Sequence, residues 1–277
     1  MHILQKPCRV QNAGPGSYGP ENAYPTGKVP GGTHEFSVRP DHKPNPAAGP
    51  PLGPVATVFV ALFLGGLYPV TTFGGQPYFP GPWQSADTIV TFFQTRPTAV
   101  LICAALHFGA AIPLGIFTAT AASRLNFLGV RAAGATIALF GGFATALTMV
   151  ASSSVLWVLA QPDIAQDRTL VHAFYWLDQA LGGSGFSVPF GLLIGGISIT
   201  AALTKLLPKW IVVPGIALFV CGELSWLNLI TPKALFLVPL TRFPGFAWLI
   251  AAGFALPSTI EHIAQEPDER AIRGKVA

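Results

Sequence analysis

Charge is the scarcest property of this chain. Of its 277 residues only 10% are Asp, Glu, Lys or Arg, against roughly 25% in a soluble domain. A chain so poor in charge cannot present a water-facing surface over most of its length. Its 51% hydrophobic content and mean hydropathy of +0.52 make lipid the natural solvent. Cysteine is also scarce: Cys8, Cys103 and Cys221 stand apart, two of them inside apolar runs, with no CxxC. A disulfide framework or a cysteine-clustered zinc site is thereby excluded, and these residues read as small buried apolar groups. No Walker A sequence, no GxGxxG after a strand and no HExxH occurs, so none of the chemistries those motifs carry is signalled. No cofactor and no metal is expected. The net charge of +4 and pI of about 9.1 come without any Lys/Arg run interleaved with aromatics, so nucleic acid is not an expected partner. Residues 1–52 lack the apolar h-region of a secretory signal.

What is present is organised around six apolar segments. Residues 1–52 are rich in Pro, Gly, Asn and His and too poor in aliphatic residues to offset their ordering entropy, which predicts a disordered tail. A second reading is a start placed too early, although the next methionine is Met149. The segments lie at 53–73, 98–122, 130–160, 186–206, 209–230 and 243–260, each near the roughly 20 residues that span a bilayer core. The third is long and either tilts or carries Ser152, Ser153 and Ser154 out of the core. The fold class expected is an all-α bundle of six transmembrane helices over 53–260, with a charged tail at 261–277.

Residues 123–129 and 206–208 are short enough to make helical hairpins. Residues 74–97 are rich in Pro and aromatics, including Pro77, Tyr78, Phe79, Pro80, Pro82 and Trp83, which suits an interfacial loop. Residues 161–185 set Asp163, Asp167, Arg168, His172 and Asp178 beside Leu170, Phe174, Trp176 and Leu177. That mixture predicts a short amphipathic helix on the membrane surface whose acids form a solvated face. With a cytoplasmic N-terminus, Arg39, Lys43, Arg124, Arg131, Lys205, Lys209, Arg270, Arg273 and Lys275 fall inside, and Arg96, Arg168, Lys233 and Arg242 outside. This bias predicts that both termini are cytoplasmic.

Small residues recur every fourth position: Gly134, Ala138, Gly142 and Ala146; Ala111, Gly115 and Ala119; Gly191 and Gly195. Such stripes let helix backbones approach closely, within the bundle or against a second copy. Pro113 falls mid-span and predicts a kink.

Two ionisable residues lie well inside the segments, His107 and Glu223. Charge in hydrocarbon is costly, so such groups normally face a partner or a cavity. From the helical rise, His107 lies about 14 Å and Glu223 about 10 Å below the outer face, depths that would let them meet. Ser225, Trp226 and Asn228 share the last turns of the fifth span and could add hydrogen bonds. The functional reading is a proton relay or polar binding site; the structural one is a hydrogen bond that fixes helix register.

Gly182-Gly183-Ser184-Gly185 matches the GxSG of rhomboid intramembrane proteases, which share a six-helix core. A nucleophilic serine needs a histidine base beside it. The sixth segment holds none, Ala111 stands where that family's asparagine is expected, and Trp83-Gln84 replaces its Trp-Arg. An enzyme is therefore not expected.

The stretch around His107–Gly115 and Gly129–Gly142, with Phe186-Ser187-Val188-Pro189-Phe190-Gly191 and Leu207-Pro208-Lys209-Trp210, resembles a group of uncharacterised bacterial multi-span membrane proteins. The resemblance covers about 160 residues from the second to the sixth segment. It implies a bacterial inner-membrane protein and no particular activity. The leading functional expectation is a non-enzymatic accessory or structural membrane protein, packing in the bilayer with itself or another membrane protein. The alternative is a small proton-linked transporter or sensor built on His107 and Glu223.

Overall fold

The computed structural model describes residues 49–129 and 133–258. The two expected tails, except for residues 49–52, lie outside that range. Among the described residues the chain forms α1 (Leu52–Leu67), α2 (Ala86–Thr95), α3 (Pro97–Phe127), α4 (Ala133–Leu159), α5 (Pro162–Gln166), α6 (Arg168–Gly182), α7 (Ser184–Thr204), α8 (Lys209–Leu224) and α9 (Leu237–Ala255). Short 3-10 turns follow α1 and α8 and precede α9. Six stretches are long and apolar enough to cross a membrane: Leu52–Val70, Pro97–Phe127, Ala133–Leu159, Arg168–Thr204, Lys209–Leu229 and Pro232–Ala255. The protein is an all-α, multi-pass membrane protein.

The long helices close into a ring. α1 packs on α3, α3 on α4, α4 on α7, α7 on α8 and α9, α8 on α9, and α9 returns to α1. In lipid the apolar exterior gains nothing by clustering, so contact must come from close packing. Glycine supplies it between α4 and α7 and between α7 and α8. A Cβ on Gly141 of α4 would lie 2.5 Å from the Leu193 amide nitrogen and 2.6 Å from the Pro189 carbonyl of α7; one on Gly196 would lie 2.6 Å from the Ala138 nitrogen. Gly222 of α8 would meet the Gly191 Cα at 2.8 Å. Of the other stripe positions, Gly134 lies against Thr200, Gly142 against Thr118 and Gly195 against the Phe219 ring, whereas Gly115 has Phe143 at an ordinary 3.7 Å. The middle of the ring is filled by Phe59, Leu114, Phe186, Phe190, Ile194 and Phe246.

Three expectations change. The sixth span begins earlier than 243: α9 runs from Leu237, with Pro239 in its first turn, where the missing N–H costs little. Arg242 therefore lies within the helix and not in an outer loop. The 74–97 loop contains α2, capped where Ser85 accepts from the Thr88 amide. The amphipathic segment at 161–185 is not an isolated surface helix, because α6 packs on α2, α4 and α7. Its residues Val171, Tyr175 and Asp178 make one buried face. Asp178, expected on a solvated face, is 7% exposed. Asp167 instead caps α6, accepting from the Thr169 and Leu170 amides. Among the described residues no group of His, Cys, Asp or Glu could hold a metal ion. Pro113 sits inside α3, whose helical run continues on both sides.

Candidate functional site

The bundle leaves a cavity of about 790 Å³ at the end where α1 and α4 finish and α3, α7 and α9 begin. Its walls are Phe63 and Leu67 of α1, Cys103 and His107 of α3, Met149, Ser152 and Leu156 of α4, Phe186 of α7, and Val238 and Arg242 of α9. The end of α6 contributes Asp178, Gln179 and Gly182. The 71–84 loop roofs it, and exposed Trp83, Lys233 and Phe236 stand at its rim.

The polar groups are held by specific local chemistry. His107 is 8% exposed, and its ring stacks on Phe63 with centroids 4.2 Å apart. Nε2 lies 3.0 Å from the Phe63 carbonyl oxygen, which can only accept, so Nε2 carries the proton. In the neutral ring Nδ1 then accepts from the Cys103 thiol, 3.7 Å away and one turn earlier. Ser152 donates to Asp178 Oδ1 at 2.6 Å. That approach needs a glycine beside it, since a Cβ on Gly182 would lie 2.8 Å from the serine oxygen.

Arg242 reaches across from α9. Its guanidinium carbon sits 4.7 Å from the Phe186 ring centroid and 5.6 Å from that of Phe63, a cation–π arrangement. Nη2 donates to the Gly182 carbonyl, at the negative end of the α6 dipole. Its Nε is buried without a hydrogen-bond partner, and no salt bridge among the described residues joins Arg242 to Asp178. The ion pair present, Arg168 with Asp87 at 2.6 Å, lies on the exposed surface.

The roof is tied down. Arg96 donates to the carbonyls of Pro69, Gly74 and Gln76. The Tyr175 hydroxyl donates to the Pro80 carbonyl at 2.9 Å while accepting from Gln179 Nε2. Phe79 packs among Phe92, Phe93 and Tyr175.

His107 lies in the cavity wall, but Glu223 does not join it. Glu223 is on α8, which packs on α7 and α9, whereas α3 packs on α1 and α4. The Glu223 carboxylate lies beside Gly191, with Oε1 buried and unpartnered. No hydrogen bond among the described residues links it to His107. The depths inferred from helical rise say nothing about azimuth, and α1 and α9 stand on the arc of the ring between α3 and α8. Ser225, Trp226 and Asn228 do not serve Glu223 either. Ser225 donates to Gly222 O, Trp226 is 47% exposed, and Asn228 donates to Ser184 Oγ. Ser184, which opens α7 after the break at Gly183, donates in turn to the Ser225 carbonyl. Its hydroxyl is committed to this joint, and among the described residues no histidine is its partner.

Asp178, Ser152 and Arg242 are the site residues that sequence reasoning missed. The spacing Val171, Tyr175, Asp178 and Gly182 marks one face of a helix, a signal that places an acid among apolar residues. Arg242 is flanked by Thr241 and Phe243 in a run that is otherwise apolar from Leu235 to Phe246 apart from that threonine.

No protein-family model matches the chain, and neither does any curated protein or solved structure.

Proposed function

We propose that this protein binds a small molecule within the bilayer, as a receptor or carrier, and that the cavity around His107, Asp178 and Arg242 is its site. One observation carries the reading: a space of about 790 Å³ lined mainly by apolar and aromatic side chains, on which a few charged and hydrogen-bonding groups converge. Sites for small molecules commonly have this composition and size. A purely packed accessory protein has no use for such a space, and filling it with side chains would add packing energy. The proton-linked alternative is revised in its residues: Asp178 and Arg242 take the place beside His107 that Glu223 was expected to occupy.

The reading includes an orientation. The basic bias near the spans supports cytoplasmic termini. The cavity then opens on the outer side.

Native mass spectrometry of protein gently extracted from its own membrane tests the proposal. A lone chain or homo-oligomer carrying a small molecule is expected, and Leu67→Trp, which fills the cavity, removes that molecule. A stoichiometric second polypeptide with no small molecule would sink the reading and restore the accessory role.

A further inference from the structure

The charged groups of the cavity are unequally committed. Among the described residues Asp178 is the one acid in the lining, and Ser152 engages it at 2.6 Å. Among the described residues the basic side chains are Lys233 at the rim, Arg242 within, and His107, whose Nε2 is held by the Phe63 carbonyl. Of the five N–H donors of Arg242, the described residues supply an acceptor only through Gly182, and no carboxylate lies within salt-bridge distance. A cation drawn into an apolar site normally acquires a carboxylate or phosphate partner, and the planar guanidinium suits a carboxylate in particular. Phe63 and Phe186 lie against the guanidinium, and Phe79, Phe236 and Phe243 also line the cavity, which gives a ligand's body an apolar surface.

Granting that the cavity is a ligand site, we infer that its occupant is an amphipathic carboxylate. The carboxylate lies against Arg242 on the side toward Lys233, and its apolar or aromatic body lies among the phenylalanines. The Phe186 ring, its centroid 4.7 Å from the guanidinium carbon, helps hold that charge in place.

The test is isothermal titration of the full-length protein in lipid nanodiscs, with empty nanodiscs as the blank. The probes are phenylbutyrate, phenylbutanol and phenylbutylamine, which share a body and differ in headgroup. Phenylbutyrate is expected to bind at least about tenfold tighter than the alcohol, the usual scale of a hydrogen bond to a charged group. Arg242→Gln removes that preference. Lys233→Gln, at an exposed position, weakens phenylbutyrate a few-fold and narrows its advantage over phenylbutanol. Equal binding of the three probes, or tightest binding of the amine, would overturn the carboxylate assignment while leaving the cavity a ligand site. Binding of none would overturn both.

Discussion

Gly141→Ala is the sharpest probe of how the bundle holds together. The added methyl would stand 2.5 Å from the Leu193 nitrogen, 2.6 Å from the Pro189 oxygen and 2.8 Å from the Leu192 Cβ. Two of these are backbone atoms, so no rotamer change relieves the contact and α4 must move away from α7. Overpacking costs about 1–3 kcal/mol, and three contacts under 3 Å put this case near the top of that range. The substitution also removes a helix-interior glycine, which returns about 0.5–1 kcal/mol. The net expectation is a loss of about 2 kcal/mol. Gly109→Ala is the matched control, because nothing lies within 4 Å of its added methyl. It should be neutral or slightly stabilising. Reversible unfolding in bicelles, with both variants measured against the parent, reads the difference. Equal stability of the two variants would refute the backbone seam between α4 and α7.

Two further substitutions test the site's surroundings. Tyr175→Phe removes the hydroxyl that joins Pro80 to Gln179 and should cost about 1–2 kcal/mol; hydrogen exchange over 71–84 should quicken, and unchanged exchange would mean the roof is held by Arg96 and Phe79 alone. Ser184→Ala should cost about 1 kcal/mol by freeing Asn228 and the Ser225 carbonyl, and it should leave phenylbutyrate binding intact; loss of binding would bring the α6–α7 joint into the site.

The architecture was legible where apolar runs are long. Five of the six spans could be placed because each is a long, mostly apolar run bounded by Pro, Gly or charge, and bilayer thickness sets its length. The sixth starts earlier than expected because Pro239 and Arg242 interrupt its hydropathy, although the helix runs through both. The site was harder to read. Helical rise gives depth, so His107 and Glu223 could be set at similar levels. Helices that are apolar all round carry no mark of which side faces the bundle, so their azimuths stayed hidden. Asp178 escaped because charged residues earlier in its segment read as loop, while the face formed by Val171, Tyr175 and Asp178 points inward. Arg242 was counted toward orientation because a lone arginine near an expected span end looks like an interfacial anchor.

The glycine seams divide the molecule mechanically. α4, α7 and α8 touch backbone to backbone through Gly141, Gly196, Gly191 and Gly222, and α1 meets α9 in the same way where Gly253 lies against Gly53. Between α7 and α9 the contact runs through side chains, as where Gly245 of α9 lies against the Phe190 ring. Side-chain contacts can slide by small steps, whereas backbone contacts cannot yield without separating. Ser152 and Phe186 belong to the first group, and Phe63 and Arg242 to the second. A ligand gripped from both sides would therefore act as a wedge between two stiff plates. Its arrival would register as a small rotation of the α1–α9 pair, and its departure as the return.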